Sequence, residues 1–337
     1  MMRIIQIANY CEGVGGVSTQ VELLTKSLLS EGIDCQIFSL KGSFIHRLMS
    51  PFSLIRIGKD RDIFHIHACS YRGFLPAIIG ITIGRLLKKR ILLTYHGGDG
   101  AVFFDRHERL VKRFLSRTNA NIVLSGFLGN VFDKHGIPYT VIPNILELNS
   151  DYFRERETIH PHFISIRSLR PIYNIPCILR AFQIVKSSLP SSTLTIVGDG
   201  ISRNELELIV TKEPIKGVTF VGRVPNSKIP EYLSKADIMI SAPIIDNMPV
   251  SLLEGFNSGL LVISSNVGGV PYMIEDGVNG LLFESNDYVM LAEKMLFACT
   301  HPESAKKMIY NAYIGLAKYS WDHIRNTYLA LCQGSNS

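Results

Sequence analysis

The stretch "DNMPVSLLEGF", residues 246 to 256, sets two carboxylates, Asp246 and Glu254, eight positions apart across a proline. Pro249 suits the first turn of a helix and Asn247 or Asp246 can cap it. The amides of about residues 249 to 252, which include Val250 and Ser251, then become unpaired donors aimed at an anion. Glu254 falls one to two turns inside, where its carboxylate can accept two adjacent hydroxyls such as those of a ribose. A capped helix with a solvated glutamate is the plain alternative. It leaves the proline unexplained, and also the glycine-rich "SSNVGGVPYMIEDGVNGLLFE" downstream, with Gly268 and Gly269 after an expected strand.

Two further stretches have the types and spacing for chemistry. "LLTYHGGDG" places His96, two glycines and Asp99 directly after an expected strand, where open parallel sheets hold their ligands. An imidazole there can hydrogen-bond sugar hydroxyls or move a proton. "GVGGVSTQVELL" opens the first helix, with Gly15 and Gly16 where backbone can approach an anion. It is not a dinucleotide fingerprint: Gly13 and Gly15 are followed by Ser18, and Asp34 precedes the second strand where an acidic residue should end it. His65 and His67 share one face of a strand and read as packing residues with no metal role. "DRD", Asp60 to Asp62, precedes a strand where a metal-binding pair should follow one, so no metal site is expected.

The elements that must position these residues alternate. "RIIQIA", "CQIFSL", "DIFHIHA", "RILLTY", "NIVLS" and "YTVIP" are short apolar runs separated by helix-length segments, including a face made by Val17, Val21, Leu24 and Leu28. Strand and helix repeated in this way predict a doubly wound parallel sheet. A polar stretch follows, and the pattern restarts with "FISI", "TLTIVG", "VTFVG", "ADIMIS" and "LLVISS". The organisation predicted is a Rossmann-like domain over 1–145, a linker over 146–160, a second Rossmann-like domain over 161–318, and a C-terminal helix over 319–337 packing back toward the first domain.

With 337 residues and 46% hydrophobic content the chain can bury two cores. Its six cysteines are scattered without metal-ligand spacing and fit a reducing cytoplasm. "MMRIIQIANY" reads as a first strand, lacking the features of a signal peptide. "GFLPAIIGITIG" is too short to span a membrane and reads as a buried helix. The net charge of +6 is uneven, +7 over residues 1 to 150 and −1 over the rest. Nucleic acid is not expected as a partner, because basic residues are not interleaved with aromatics. An anionic membrane or a phosphorylated substrate fits the basic half as well as a merely solvated face does.

Taken in order, "GGVSTQVELLTKSL", "HGGD", "VIPN", "TIVGDG", "VTFVGRV" and "DNMPVSLLEGFNSGLLVISSNVGGVPYMI" resemble the family 4 glycosyltransferases over nearly the whole chain. The resemblance implies the GT-B fold, two Rossmann-like domains facing across a cleft, and retaining sugar transfer without a metal or cofactor. It implies a UDP-sugar donor, with GDP as second choice. It sets Glu254 on the ribose and Asp246 near the donor sugar, where the family usually has Glu. It sets His96 at the sugar, and Asn247, Met248, Pro249, Val250 and Ser251 along the donor.

The family usually presents an Arg and a Lys to the diphosphate. Here that segment is "IRSLRPIYNIP", with Ser168 and Tyr173 at the two cationic positions. Arg167, Arg170 and Arg223 are the replacement cations to consider, with Tyr173 and Asn174 beside the donor.

The reading is a cytoplasmic retaining glycosyltransferase acting on a glycan or lipid-linked acceptor in surface polysaccharide assembly, peripheral on the inner face of the plasma membrane. "HRLMSPFSLIRIGK" and "GRLLKKR", which mix cations with apolar residues, support the membrane part. The rival readings are a nucleotide-sugar 2-epimerase of similar fold and a non-catalytic subunit that binds a glycan or nucleotide sugar.

Overall fold

The computed structural model describes residues 2–13 and 15–334. The side chains of His46 and Arg47, in the first of the two apolar and basic stretches, lie outside that description. The chain divides into two units, Met1–Glu147 with Lys318–Ser337, and Leu148–Ala317.

In the first unit β1 (Arg3–Ala8), β2 (Asp34–Ser39), β3 (Ile63–Ala68), β4 (Arg90–Tyr95), β5 (Ala120–Val123) and β6 (Thr140–Val141) form a parallel sheet in the order β2-β1-β3-β4-β5-β6. Helices cover both faces, so strands such as β3 are buried along their whole length and read as continuous apolar runs. Two of those buried positions are histidines.

The helix Trp321–Gln333 belongs to this unit. Ser320 caps it by accepting from the His323 amide, and Tyr328 donates into or accepts from the β3 residue His65 at 2.9 Å. Trp321 Nε1 donates to Glu31, on the far side of the same helix contact.

The second unit contains β7 (His162–Ile166), β8 (Thr193–Val197), β9 (Val218–Gly222), β10 (Ile238–Ser241), β11 (Leu261–Ser265) and β12 (Leu281–Phe283). Its order is β12-β11-β10-β7-β8-β9, all parallel. Strand order reverses between β7 and β10, and the crevice beyond the carboxyl ends of strands at such a point is where ligands bind. Arg167 follows β7 and the segment leading to Asp246 follows β10, so both fall at that crevice.

The charged stretch after residue 146 is anchored rather than free. Arg156 is buried and donates to Asp237, itself 1% exposed, and to the carbonyls of Ala236, Ser258 and Gly259. Arg154 also pairs with Asp237. A buried carboxylate needs such partners, and these two arginines tie residues 154 to 156 onto the second unit.

Candidate functional site

In the second unit, the guanidinium of Arg167 is the centre of a polar cluster. Its Nη2 lies 2.9 Å from Asp246 Oδ2, it donates to Ser241 Oγ at the end of β10, and its plane sits 5.0 Å from the Tyr173 ring centroid. Tyr173 therefore stands where a cation was expected and supports a cation instead, by stacking. Asp246 Oδ1 accepts from the Asn247 amide.

Two glycine approaches fix the cluster's backbone. A Cβ on Gly268, which has φ +55, would fall 1.9 Å from the Asp246 carbonyl oxygen, to which the Gly269 amide donates at 2.9 Å. A Cβ on Gly198 in "TIVGDG" would fall 1.8 Å from the Arg167 carbonyl oxygen. The two glycine-rich stretches let the loops bearing Asp246 and Arg167 be held tightly from behind.

The helix Val250–Asn257 begins one residue later than its sequence suggests, and two expectations about it are corrected. Pro249 occupies the N-cap position in extended conformation, so neither Asp246 nor Asn247 stands at the N-cap. Pro249 has no amide hydrogen and the Leu252 amide donates to Pro249 O, so the first-turn donors left for an anion are those of Val250 and Ser251. Asn247, Met248 and Pro249 are buried and shape the turn.

Glu254, inside that helix, is partly exposed, with Arg167 the one charge set against its carboxyl. Burial pushes it up to about 7, against the opposing charge of Arg167. Such a group stands ready to ionise when a ligand supplies donors.

The other expected donor residues are distributed differently. Arg170 and Arg223 are exposed, with no side-chain partner among the described residues, and Arg167 alone of the three makes the cluster. Ser168 Oγ donates to Asp199 O. Asn174, at φ 48, donates to Asn286 Oδ1 and is thereby committed within the protein.

In the first unit, His96 follows β4 and its loop is braced from below. Ser70 Oγ lies 2.5 Å from Asp99 Oδ1 and 2.7 Å from Tyr95 Oη. A Cβ on Gly97 would fall 2.8 Å from that same Ser70 oxygen. The "HGGD" residues are thus explained by a close approach and an acceptor for Ser70. Gly15, at φ +83, immediately precedes the helix Gly16–Ser30, whose first-turn amides are its available donors. The carboxylate of Glu22 accepts from the Gly13 amide and from Tyr10, closing the loop before that helix.

His96 is not solitary. His67 Nδ1 lies 3.0 Å from His96 Nε2, and His67 Nε2 lies 2.8 Å from Gln6 Oε1. His65 Nε2 meets Thr94 Oγ1 at 2.8 Å. Burial pushes His96 down to about 4 and His65 to about 3, and holds His67 well below its ordinary value, so all three are neutral at pH 7. With Tyr328 they line a cavity of about 30 Å³, room for about two waters. Sequence reasoning treated His67 as packing and overlooked Gln6. The available signal was only that Gln6, His67 and His96 are polar residues in or just after expected strands; which strands lie side by side is not local information.

Among the described residues no group of acidic, histidine or cysteine side chains is arranged to hold a metal ion. No described helix is long and apolar enough to cross a membrane.

Residues 153–314 match the family model described as glycosyl transferases group 1. The uncharacterized glycosyltransferase MJ1178 of Methanocaldococcus jannaschii is 21% identical, over 96% of this chain and 95% of that protein. The alpha-monoglucosyldiacylglycerol synthase of Acholeplasma laidlawii is 23% identical, over 84% of this chain and 77% of that protein. Among solved structures, Anabaena Alr3699/HepE in complex with UDP-glucose superposes with a TM-score of 0.82, covering 99% of this chain and 100% of that chain at 14% identity. That likeness supports two Rossmann-like domains of the GT-B type.

Proposed function

We propose that this chain, whose second unit matches the group 1 glycosyltransferases, moves a sugar from a nucleotide sugar to a saccharide acceptor with retention of configuration and without a metal. The observation that carries the proposal is the Arg167 cluster at the point where strand order reverses in the second sheet. There a guanidinium paired to Asp246 stands with the first-turn amides of Val250 and Ser251 and the carboxyl of Glu254.

Each part has a role in the proposed reaction. Glu254 accepts the ribose hydroxyls, while Val250 N, Ser251 N and Arg167 hold the diphosphate as it takes on charge. Asp246, paired with Arg167, faces the donor sugar. The bond from the anomeric carbon to the phosphate oxygen breaks, the acceptor oxygen forms its bond on the same face, and the acceptor proton passes to the departing phosphate oxygen. No enzyme nucleophile is required, so positioning and charge stabilisation supply the rate. UDP is the proposed nucleotide, GDP the second choice.

The acceptor proposed is a lipid-linked saccharide in surface polysaccharide or glycolipid assembly. Supporting this, the first-unit helix Phe44–Gly58 exposes Ile45, Leu48, Met49 and Phe52. Arg85, Lys88, Lys89 and Arg90 line an open hollow of about 440 Å³ in the same unit. Exposed apolar side chains and a cation cluster in one unit suit an anionic bilayer surface. Sedimentation with anionic liposomes at low and high salt checks the membrane part; no salt-sensitive binding removes it.

A thermal-shift screen of UDP-, GDP- and ADP-sugars tests the donor. A ligand at a hundred times its dissociation constant stabilises by about 2.7 kcal/mol, a gain that a 10- to 100-fold weaker Arg167→Ala should cut to about 0.4–1.4 kcal/mol. An unshifted wild-type protein with every nucleotide sugar would defeat the reading.

A further inference from the structure

The hydrogen-bond chain behind His96 determines where its proton sits. The starting point is Gln6 on β1. Its Nε2 donates to Val21 O at 3.2 Å, and a carbonyl can only accept, so the amide is oriented with nitrogen toward that helix. Thr25 Oγ1, which itself donates to Val21 O, accepts from the same Nε2 at 2.5 Å. Gln6 Oε1 therefore faces His67, and can only accept.

His67 Nε2 must then carry a proton to donate to Gln6 Oε1. In a neutral imidazole the other nitrogen is bare, so His67 Nδ1 is an acceptor. Facing it at 3.0 Å is His96 Nε2, which must be the donor. His96 in turn has Nδ1 bare, and that atom has no hydrogen-bond partner among the described residues. The ring is partly exposed while His67 and Gln6 are buried.

We propose that Gln6 and His67 hold His96 as the neutral tautomer protonated on Nε2, leaving Nδ1 as an acceptor for a hydroxyl of the bound substrate. The proposal rests on the reading that His96 meets substrate. It assigns His67 and Gln6 as positioning residues. It also fixes the direction of recognition: His96 accepts from a sugar hydroxyl and does not donate to the departing phosphate. A substrate lacking that hydroxyl, or carrying an ether in its place, loses the contact. The strongly lowered affinity of all three imidazoles for a second proton keeps the relay in this one state across neutral pH.

The test begins with the resting full-length chain labelled with nitrogen-15 in histidine, whose two-bond proton–nitrogen correlations report which ring nitrogen carries the proton. Neither donor nor acceptor is needed, so the result stands even if the protein transfers no sugar. His96, assigned by its loss in His96→Gln, should show the proton on Nε2. A proton on Nδ1, or an equal mixture, overturns the proposal.

Two variants separate positioning from packing. His67→Asn retains an acceptor near the Nδ1 position, whereas His67→Leu keeps bulk and loses the acceptor. The proposal expects His67→Asn to preserve the His96 tautomer and most of the transfer rate. It expects His67→Leu to mix the tautomers and to lower the rate about tenfold, the loss of one hydrogen bond. If His67→Leu retains the tautomer and the rate, or if His67→Asn is as impaired as His67→Leu, the positioning role is overturned. If the spectra agree but His96→Gln transfers at the wild-type rate, the substrate half is overturned.

Discussion

Arg167 Nη2 lies 2.9 Å from Asp246 Oδ2, joining the loop after β7 to the loop after β10 at the reversal of strand order. This one pair places a cation where a diphosphate would need it and ties the two loops together. Arg167→Ala should weaken nucleoside-diphosphate binding about 10- to 100-fold, as expected for loss of a charge-assisted hydrogen bond. Arg167→Lys should recover only part of it, because an ammonium cannot reach Asp246 and Ser241 as a planar fork while stacking on Tyr173. Titration calorimetry with UDP measures both; wild-type affinity in Arg167→Ala would remove Arg167 from the site.

Tyr173 acts through its ring face, 5.0 Å from the Arg167 guanidinium. Tyr173→Phe should bind nucleotide as the wild type does, and Tyr173→Ala about two- to fivefold more weakly, the range of an exposed cation–π contact. Equal loss in both would point to the hydroxyl instead.

Gly268 and Gly277 give a controlled comparison, because both have positive φ. A Cβ on Gly268 would strike Asp246 O, whereas one on Gly277 meets nothing within 4 Å. Gly277→Ala should cost about 1 kcal/mol from backbone strain. Gly268→Ala should cost at least about 2 kcal/mol and also weaken nucleotide binding, because Asp246 must move. Denaturant melts with and without UDP separate the two effects.

Glu254 predicts a pH dependence with a definite sign. Its native value is raised to about 7 from an ordinary 4.5, so between those values the folded state holds a proton the unfolded state lacks. Its contribution to stability is therefore present below the unfolded value and lost as pH rises through about 7. Glu254→Gln should melt higher than wild type near pH 8 and match it near pH 4. Ribose hydroxyls are best accepted by the ionised form, so wild-type nucleotide affinity should rise from about pH 6 to 8 more steeply than that of Glu254→Gln. Parallel pH profiles would contradict the assignment.

The strands were legible because each is a short apolar run between turn signals, down to Arg3–Ala8 and Arg90–Tyr95. Asp246 and Glu254 were legible because spacing along one loop and helix is local information. What lay beyond reach was side-chain pairing set by register and loop closure. His67 meets His96 only because β3 lies beside β4, and Gln6 meets His67 only because β1 lies on the other side of β3. The choice of Arg167 over Arg170 and Arg223 came from the direction in which the loop leaves β7. Arg154 and Arg156 were read as linker charges because nothing local reveals their buried partner Asp237. The amide expected at residue 249 was an error of chemistry, since proline has none.

The central claim is retaining transfer from a nucleotide sugar, and the anomeric configuration of the product decides it most directly. The purified chain would be incubated with a carbon-13-labelled UDP-sugar, with and without a membrane extract supplying saccharide acceptors, and the anomeric carbon followed by NMR. The account predicts an acceptor-dependent glycoside with the donor's own configuration, lost in Arg167→Ala. An inverted glycoside, or an epimerised sugar formed without acceptor, would contradict it.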